Sequence, residues 1–380
     1  MNKKSLLAIA IASAAFSSVA TAAPSVDVYG FVDIGLEQIN ESGLSNGIDV
    51  FAGGDTPNGN SDEQEFNLAN NVQSRLGVKG EEDIEDGWKG TYKMEYRANV
   101  LESGGNALRI RLGWLGLEKG DHSFKIGTQW SPFMSYSAWN SNRGESHGLG
   151  SYFYITDELK GSLQYGFRNS STISYTYGNG GWGTSSPVTG TVALHVGDDS
   201  RKTTGKELTN DAGITGITLA GATTMGNLTL NAVYVQNLVA ESSAAKAQLA
   251  AATDANQIAA AKDLVTEPAI FGVGAKLKAT NDLEFGFAYR GADRDTEENN
   301  YTYTTTVSTQ YKINDKTHVH LGLGQGEDED SSKRQLKSNF FGQIWHNFSD
   351  SRSARFELEH VNYGDDGEAL VTLVSMRQAF

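Results

Sequence analysis

The sequence predicts an all-β fold, a closed antiparallel barrel of sixteen strands that spans a membrane. Three observations predict it. Apolar and charged residues alternate along many segments, short and long polar links take turns between these segments, and no segment beyond the N-terminus approaches the ~18 apolar residues of a membrane-spanning helix. A chain that crosses a membrane without such helices has to pair its backbone groups in a closed sheet.

The N-terminal residues 1–22 have the layout of a secretory signal peptide. Two lysines precede an apolar stretch from Leu6 to Phe16, and small residues surround a cleavage site after Ala22. The apolar stretch is too short to cross ~30 Å of hydrocarbon as a helix. We therefore expect export across the inner membrane and a mature barrel of residues 23–380.

The composition excludes several other classes of protein. The chain has no cysteine, so it has neither a disulfide framework nor a thiolate site. Its formal net charge is -15 and becomes more negative when the leader and its two lysines are removed, which argues against nucleic acid as a partner. The 43 glycines and only 5 prolines suit many strands joined by tight turns.

Alternating segments occur along the whole mature chain. The predicted strands lie near 26–36, 71–80, 88–98, 108–118, 122–130, 168–177, 189–198, 212–223, 227–236, 269–279, 282–290, 301–312, 316–325, 336–348, 352–362 and 369–380.

The links between these strands alternate in length. "TMGN" and "KIND" are short, whereas "RGADRDTEENN" and "GQGEDEDSSKRQ" are long and polar. Short turns at one rim and long loops at the other are typical of outer-membrane barrels, and a soluble sandwich has no reason to sort its loops in this way.

The two faces of the predicted strands differ in polarity. In the third strand Tyr92, Met94 and Tyr96 share one face, while Lys93 and Arg97 share the other. A dry core would have to bury such charges at several kcal/mol per ion, and a barrel of this size is too wide for side chains to fill. The charged face therefore points into a wet lumen.

The fourth and fifteenth strands show the same alternation. In the fourth, Arg109 and Arg111 are predicted to face the lumen, and the apolar residues are predicted to face lipid; these are Ile110, Leu112 and Trp114. In the fifteenth, Glu357 and Glu359 oppose apolar neighbours. These two acids, together with Glu95, favour a mild preference of the lumen for cations.

One segment, Val239 to Leu264, breaks the strand pattern. It is rich in alanine, has helical spacing and ends before Pro268. We interpret it as part of a long external loop insertion over 237–268, either helical or a disordered spacer.

Apparent catalytic and metal motifs are weak. "GESHG" (144–148) matches a serine nucleophile elbow, but that motif requires a helix after it and "LGSYFYI" follows. His318 and His320 lie two apart without an obvious third ligand. The acidic runs "GEDED" and "YGDDGE" do not fit a calcium loop, which leaves solvated acids or loose divalent bridges to lipopolysaccharide. We predict no enzyme, no metal site and no cofactor.

Several stretches together resemble the general, non-specific porins of Gram-negative outer membranes. They are "VYGFVDIGLE", "SRLGVKGEE", "RLGWLGLEKGDHSFKIGTQWSPF", "RNSSTISYTY" and the terminal Phe380. The resemblance implies a homotrimer of sixteen-stranded pores in the outer membrane, each with an inward-folded third loop. It also implies contacts with lipid and lipopolysaccharide, and a C-terminal aromatic residue that the barrel-assembly machinery reads.

The resemblance assigns residues to a pore constriction. The basic residues of the constriction correspond to Arg75, Arg111 and Arg168, all on the predicted inner face. The third loop corresponds to about 130–167, and its acidic residue to Glu145, with Asp157 and Glu158 as alternatives. Two departures from the family pattern are Phe31, where a lysine is common, and "RGESHG" at the loop tip.

The function that these features imply is passive diffusion of small hydrophilic solutes and ions through a water-filled channel. A substrate-specific, sugar-type channel is the main alternative, favoured if Tyr152, Phe153 and Tyr154 form an aromatic track along the lumen. An outer-membrane barrel enzyme is a weaker alternative, because no supported nucleophile, histidine and acid are found.

Overall fold

The structure is a computed structural model of the chain. It describes residues 25–42, 63–70, 74–101, 107–138, 141, 147–157, 167–178, 187–196, 214–238, 240–241, 243–262, 265–294, 301–329 and 335–380. The predicted signal peptide, residues 1–22, lies outside the described residues.

Sixteen strands form the barrel. They are β1 (Asp27–Ser42), β2 (Glu63–Ala69 and Arg75–Asp83), β3 (Lys89–Ala98), β4 (Leu108–Lys119), β5 (His122–Trp130), β6 (Arg168–Tyr177), β7 (Val188–Val196), β8 (Ile214–Met225), β9 (Leu228–Asn237), β10 (Ala269–Lys278), β11 (Leu283–Asp293), β12 (Tyr301–Asn314), β13 (Thr317–Asp328), β14 (Ser338–Asn347), β15 (Arg352–Asn362) and β16 (Glu368–Ala379). The two parts of β2 pair with successive stretches of β1, so they count as one interrupted strand.

The sheet closes on itself. Each strand pairs antiparallel with its neighbours along the chain, and β1 also pairs with β16, from Phe31 opposite Ala379 to Ser42 opposite Glu368. Closure leaves the barrel sheet itself without a free edge strand, which removes a site of aggregation. The predicted fold class is confirmed; the main differences in strand bounds are a longer β1 and the unpredicted segment Glu63–Ala69.

The outer face of the barrel is apolar. Val28, Leu115 and Ile126 are more than 60 % exposed, whereas Asp33 and Glu95 on the opposite parity are buried. This reverses the usual arrangement of a soluble protein and suits a barrel surrounded by lipid.

A β-bulge in β4 changes which residues face inward. Glu95 lies opposite Leu112 and Tyr96 opposite Ile110, so Arg111 is an extra residue between them. Ile110 is 54 % exposed on the outer face, but Leu112 is only 2 % exposed and Trp114 lines a cavity inside the barrel. The prediction that Leu112 and Trp114 face lipid was wrong, because the bulge reverses the alternation beyond Arg111.

The connections sort into a short rim and a long rim, as predicted. Two-residue turns at 226–227 and 315–316 lie at the short rim, and the connections 131–167 and 238–268 lie at the long rim. The ten residues 178–187 at the short rim and the five residues 363–367 at the long rim depart from this rule.

Three α-helices lie outside the barrel strands in the described ranges. They are α1 (Gly150–Asp157), α2 (Ser243–Ala251) and α3 (Ala255–Lys262). The alanine-rich segment contains α2 and α3, and the two-residue strands Ala240–Glu241 and Val265–Thr266 pair at its base. None of the helices in the described ranges is long and apolar enough to cross a membrane.

Candidate functional site

A cluster of positive side chains surrounds Glu95 on the inner wall. The Glu95 carboxylate lies 2.9 Å from Arg111 Nε, 3.7 Å from Arg75 Nη1 and 3.6 Å from Lys93 Nζ. Tyr29 donates a hydrogen bond of 2.9 Å to the same carboxylate. The bulge that inserts Arg111 into β4 places its guanidinium beside Glu95, so two of the predicted arginines and Lys93 lie together.

Arg168 and Arg97 extend this cluster. The charge of Arg168 interacts with those of Arg111, Arg75, Arg97 and Glu95, which places it in the same region. Its guanidinium also lies 5.2 Å from the centre of the Trp130 ring. Together we call Arg75, Lys93, Arg97, Arg111 and Arg168 the basic wall.

Arg109 lies at the margin of the basic wall. It is opposite Arg97 in the pairing of β3 with β4, and its side chain is exposed. Arg109 precedes the bulge and belongs to the long-rim end of β4.

A second ionic cluster continues the wall across the barrel closure, and the sequence did not reveal it. Arg355 binds both oxygens of Asp33 at 2.5 and 3.1 Å, and Arg377 Nε donates to Asp33 at 2.8 Å. The Phe31 ring lies 4.0 Å from the Arg377 guanidinium and 4.4 Å from that of Arg75. Where a basic residue was thought to be missing, Phe31 therefore packs against two arginines.

The connection between β5 and β6, residues 131–167, is called loop 3, and its first part packs against β7 to β11. Phe133, Tyr136 and Tyr152 are buried in one cluster with Val235 of β9 and Ile270 of β10. These apolar contacts hold the described part of loop 3 against the inner face of the strands.

Polar contacts add to this packing. Tyr136 Oη lies 2.9 Å from Thr191 Oγ1 on β7. Arg290 on β11 donates to the Ser137 carbonyl oxygen at 2.8 Å and to Ser141 Oγ at 2.7 Å. Arg290 is fully buried, so these hydrogen bonds compensate for part of the cost of removing its charge from water.

The middle of loop 3 is held by acids of the wall. Gly148 and Gly150 donate backbone hydrogen bonds of 2.7 and 2.8 Å to the Glu359 carboxylate. His147 Nδ1 lies 3.1 Å from Glu357, and His147 Nε2 lies 3.8 Å from Glu37. We call this set of contacts the loop 3 anchor.

Helix α1 continues along the same side of the barrel. The Ser151 hydroxyl lies 2.7 Å from Thr306 Oγ1 on β12, and its backbone N–H donates to Asn339 Oδ1 on β14 at 3.0 Å. The described parts of loop 3 thus contact the inner face of β7 to β15 and, through His147, Glu37 of β1. The basic wall belongs to β2, β3, β4 and β6.

The predicted acidic residues of loop 3 are not described in the same detail. Glu145 and Glu158 lie outside the described residues, and Asp157 is the last residue of α1. Tyr152 and Tyr154 are buried, so with Phe153 they do not form an accessible aromatic track.

The structure also places the residues of the weak motifs. Helix α1 begins two residues after "GESHG", so the prediction that no helix follows was wrong; His147 itself is buried against Glu357. His318 and His320 rings lie 5.1 Å apart, and among the described residues no group of three or more His, Cys, Asp or Glu could hold a metal. Asp328 in "GEDED" binds Arg294 through both oxygens, at 2.6 and 2.9 Å.

The loop 3 anchor is expected to weaken at high pH. Burial opposes the charged form of His147, but its hydrogen bond to Glu357 and the charges of Glu357, Glu359 and Glu37 outweigh burial and raise its pKa. The stabilisation is therefore complete below the ordinary histidine pKa of ~6.5 and is lost as pH rises through the raised pKa. As pH rises through this range, the hydrogen-exchange rates of the Gly148 and Gly150 amides should increase more than the intrinsic exchange rate does.

The matched variant for this prediction is His147→Gln. It should remove the additional pH dependence, because glutamine does not titrate. If the protection of each amide in the unmodified protein stays constant across this pH range, the prediction is contradicted.

Comparisons with known proteins give one family match. A family model described as Gram-negative porin matches residues 8–331. No curated protein matches the sequence.

Solved structures of several outer-membrane proteins have similar folds. The anion-selective porin from Comamonas acidovorans has a TM-score of 0.67 at 15% identity, covering 94% of this chain and 100% of that one. Salmonella typhi OmpF in complex with daunomycin has a TM-score of 0.62 at 14% identity, with 93% and 97% covered. OmpT of Vibrio cholerae in a trimer form has a TM-score of 0.59 at 16% identity, with 94% and 99% covered. At these identities the likeness concerns the fold.

Proposed function

The chain belongs to the Gram-negative porin family and is an outer-membrane channel for passive diffusion, and from this premise we propose that solutes are filtered between loop 3 and the basic wall. The observation that carries the proposal is the opposed placement of the two groups. Described parts of loop 3 contact the inner face of β7 to β15, whereas on the opposite part of the wall three cations contact Glu95 and Arg97 and Arg168 extend the group.

The filter is proposed to favour anions, in place of the mild cation preference expected from the sequence. That expectation counted three acids as free charges in the lumen. Glu95 contacts Arg111, Arg75 and Lys93, while Glu357 and Glu359 contact loop 3. Glu95 is thus outnumbered by the cations that contact it, and Glu357 and Glu359 are buried under loop 3 and are not exposed in the lumen, whereas the basic wall has an excess of positive charge. Ion flow through a bilayer containing the purified protein tests both the channel and its selectivity.

A non-enzymatic role is part of the same proposal. The family match supports a channel, and His147, the histidine within the serine motif, contacts Glu357 and Glu37 of the anchor. A sugar-type channel stays the second candidate, although the three aromatic residues of loop 3 that would have favoured it are not an accessible track.

We expect the folded protein to be a homotrimer that resists detergent and runs anomalously on gels until it is boiled. A closed ladder has no edge at which unfolding can begin, and a similar structure is described as a trimer form. Cross-linking and gel mobility before and after heating measure this. A monomer whose mobility is unchanged by boiling would contradict the proposal.

Contacts of the outer surface complete the proposal. Phe380 is 64 % exposed, and its backbone N–H donates to the Gly30 carbonyl oxygen at 3.1 Å, so the terminal aromatic ring is presented at the barrel closure. This supports a role in lipid contact and as a signal for the barrel-assembly machinery.

Removal of residues 1–22 on export and binding of lipopolysaccharide by acidic external loops are also proposed.

A further inference from the structure

A cavity of about 440 Å³ separates loop 3 from the wall near the short rim. Pro132, Ser135 and Tyr136 line it from the loop side. From the wall side it is lined by Trp114 of β4 and by hydroxyl-bearing residues of β6 and β7. Its volume is within the range of ~300–1,000 Å³ that is typical of sites for small molecules.

Hydroxyl groups form a connected row along one side of this cavity. Tyr136 Oη lies 2.9 Å from Thr191 Oγ1, which lies 3.1 Å from Thr176 Oγ1. Next to them, Ser174 donates to Gln129 Oε1 at 2.7 Å. Each hydroxyl has one donor and two acceptor positions, so these contacts leave bonding capacity for a polar solute.

The charges around the cavity are matched. Lys125 Nζ lies 4.5 Å from the centre of the Trp114 ring and 3.4 Å from the Glu118 carboxylate. The lining also contains Lys93 and Asp121, so two lysines and two carboxylates surround the cavity. This balanced lining attracts an anion less than the arginines of the basic wall do, so the cavity suits an uncharged molecule.

We propose that this cavity is a transient binding site for a neutral hydroxylated ring of mono- or disaccharide size. One face of the Trp114 ring is covered by Lys125, and the rest of the ring supplies an apolar surface of the cavity that the carbon face of such a solute can contact. The row of Tyr136, Thr191 and Thr176 forms hydrogen bonds with the hydroxyl groups of the solute. The proposal rests on the proposed function, because the solute reaches the cavity through a water-filled lumen.

The test is the block of ion current through single channels by glucose and maltose, with the acyclic polyol mannitol as the reference solute. The current of each protein is compared with its own current without solute. The unmodified channel should show a saturable block that is stronger with maltose than with mannitol. Trp114→Ala, and separately the pair Thr176→Val and Thr191→Val, should raise the half-blocking maltose concentration roughly five- to tenfold.

Two variants outside the lumen are matched controls. Trp88→Ala removes an indole beside the outward-facing Phe124, and Thr305→Val removes a hydroxyl from the outer face of β12. Both should retain the maltose block of the unmodified protein.

Normal channels with no saturable sugar block, or an equal block in all variants, would overturn the proposed site and leave the channel function intact. The same holds if the controls and the cavity variants lose the block alike. Absence of any ion current would instead contradict the proposed function itself.

Discussion

Replacing Glu357 and Glu359 together with glutamine is expected to increase both the single-channel conductance and its fluctuations. Glu359 accepts hydrogen bonds from Gly148, Gly150 and Asn339, and Glu357 contacts His147. Hydrogen bonds to a charged group contribute about 1.5–3 kcal/mol each, so losing them shifts the detached population of this part of loop 3 by about tenfold or more. The measurement is the current of single channels in planar bilayers.

Glu284→Gln is the matched control for the anchor variant. Glu284 also lies on the inner parity, but its carboxylate is 3.7 Å from Lys276 on the neighbouring strand. It should leave conductance and noise close to those of the unmodified channel. If the anchor variant assembles normally and has unchanged conductance and noise, the acids do not restrain loop 3.

Replacing Arg75, Arg111 and Arg168 with glutamine is expected to move ion selectivity strongly toward cations. Two unit charges ~6 Å apart interact by roughly 3 kcal/mol at an effective dielectric constant of ~20, so removing three charges changes the potential at the filter substantially. The variant also leaves Glu95 without two of the cations that contact it. The zero-current potential across a salt gradient should shift most at low ionic strength, where screening is weakest.

Two further variants sharpen this experiment. Arg352→Gln removes an arginine that is exposed at the short rim and bonded to Gln378, and it should produce little shift. Glu95→Gln should shift the zero-current potential toward anions, because the positive charges then lose their central carboxylate. No shift in the triple variant would exclude these arginines from the filter.

The barrel could be predicted from the sequence because each strand carries its own evidence. The alternation at Lys93 to Arg97 and the short turns between strands are local features of the sequence. They recur from strand to strand around the closed barrel. The bulge at Arg111 could not be predicted in this way. It reverses the two faces of β4, and residue types alone do not show where a strand contains an extra residue.

The candidate site was predictable only in part. Arg75, Arg111 and Arg168 were found through short motifs on β2, β4 and β6, and Arg97 through the alternation of β3. The Asp33–Arg355 and His147–Glu357 contacts join residues 322 and 210 positions apart, so they depend on barrel closure and on the path of loop 3. Helix α1 was missed because its aromatic, β-branched sequence is typical of a strand, while its contacts with β12 and β14 favour the helix.

Single-channel conductance as a function of salt concentration tests the central claim most directly. For a water-filled diffusion channel we predict stepwise current increments that are ohmic and keep rising with potassium chloride concentration. The rise should be nearly proportional at high salt, where the wall charges are screened. The claim would be contradicted if purified, heat-modifiable protein inserted into the bilayer without current steps. It would also be contradicted if the conductance stopped increasing with salt at a low salt concentration.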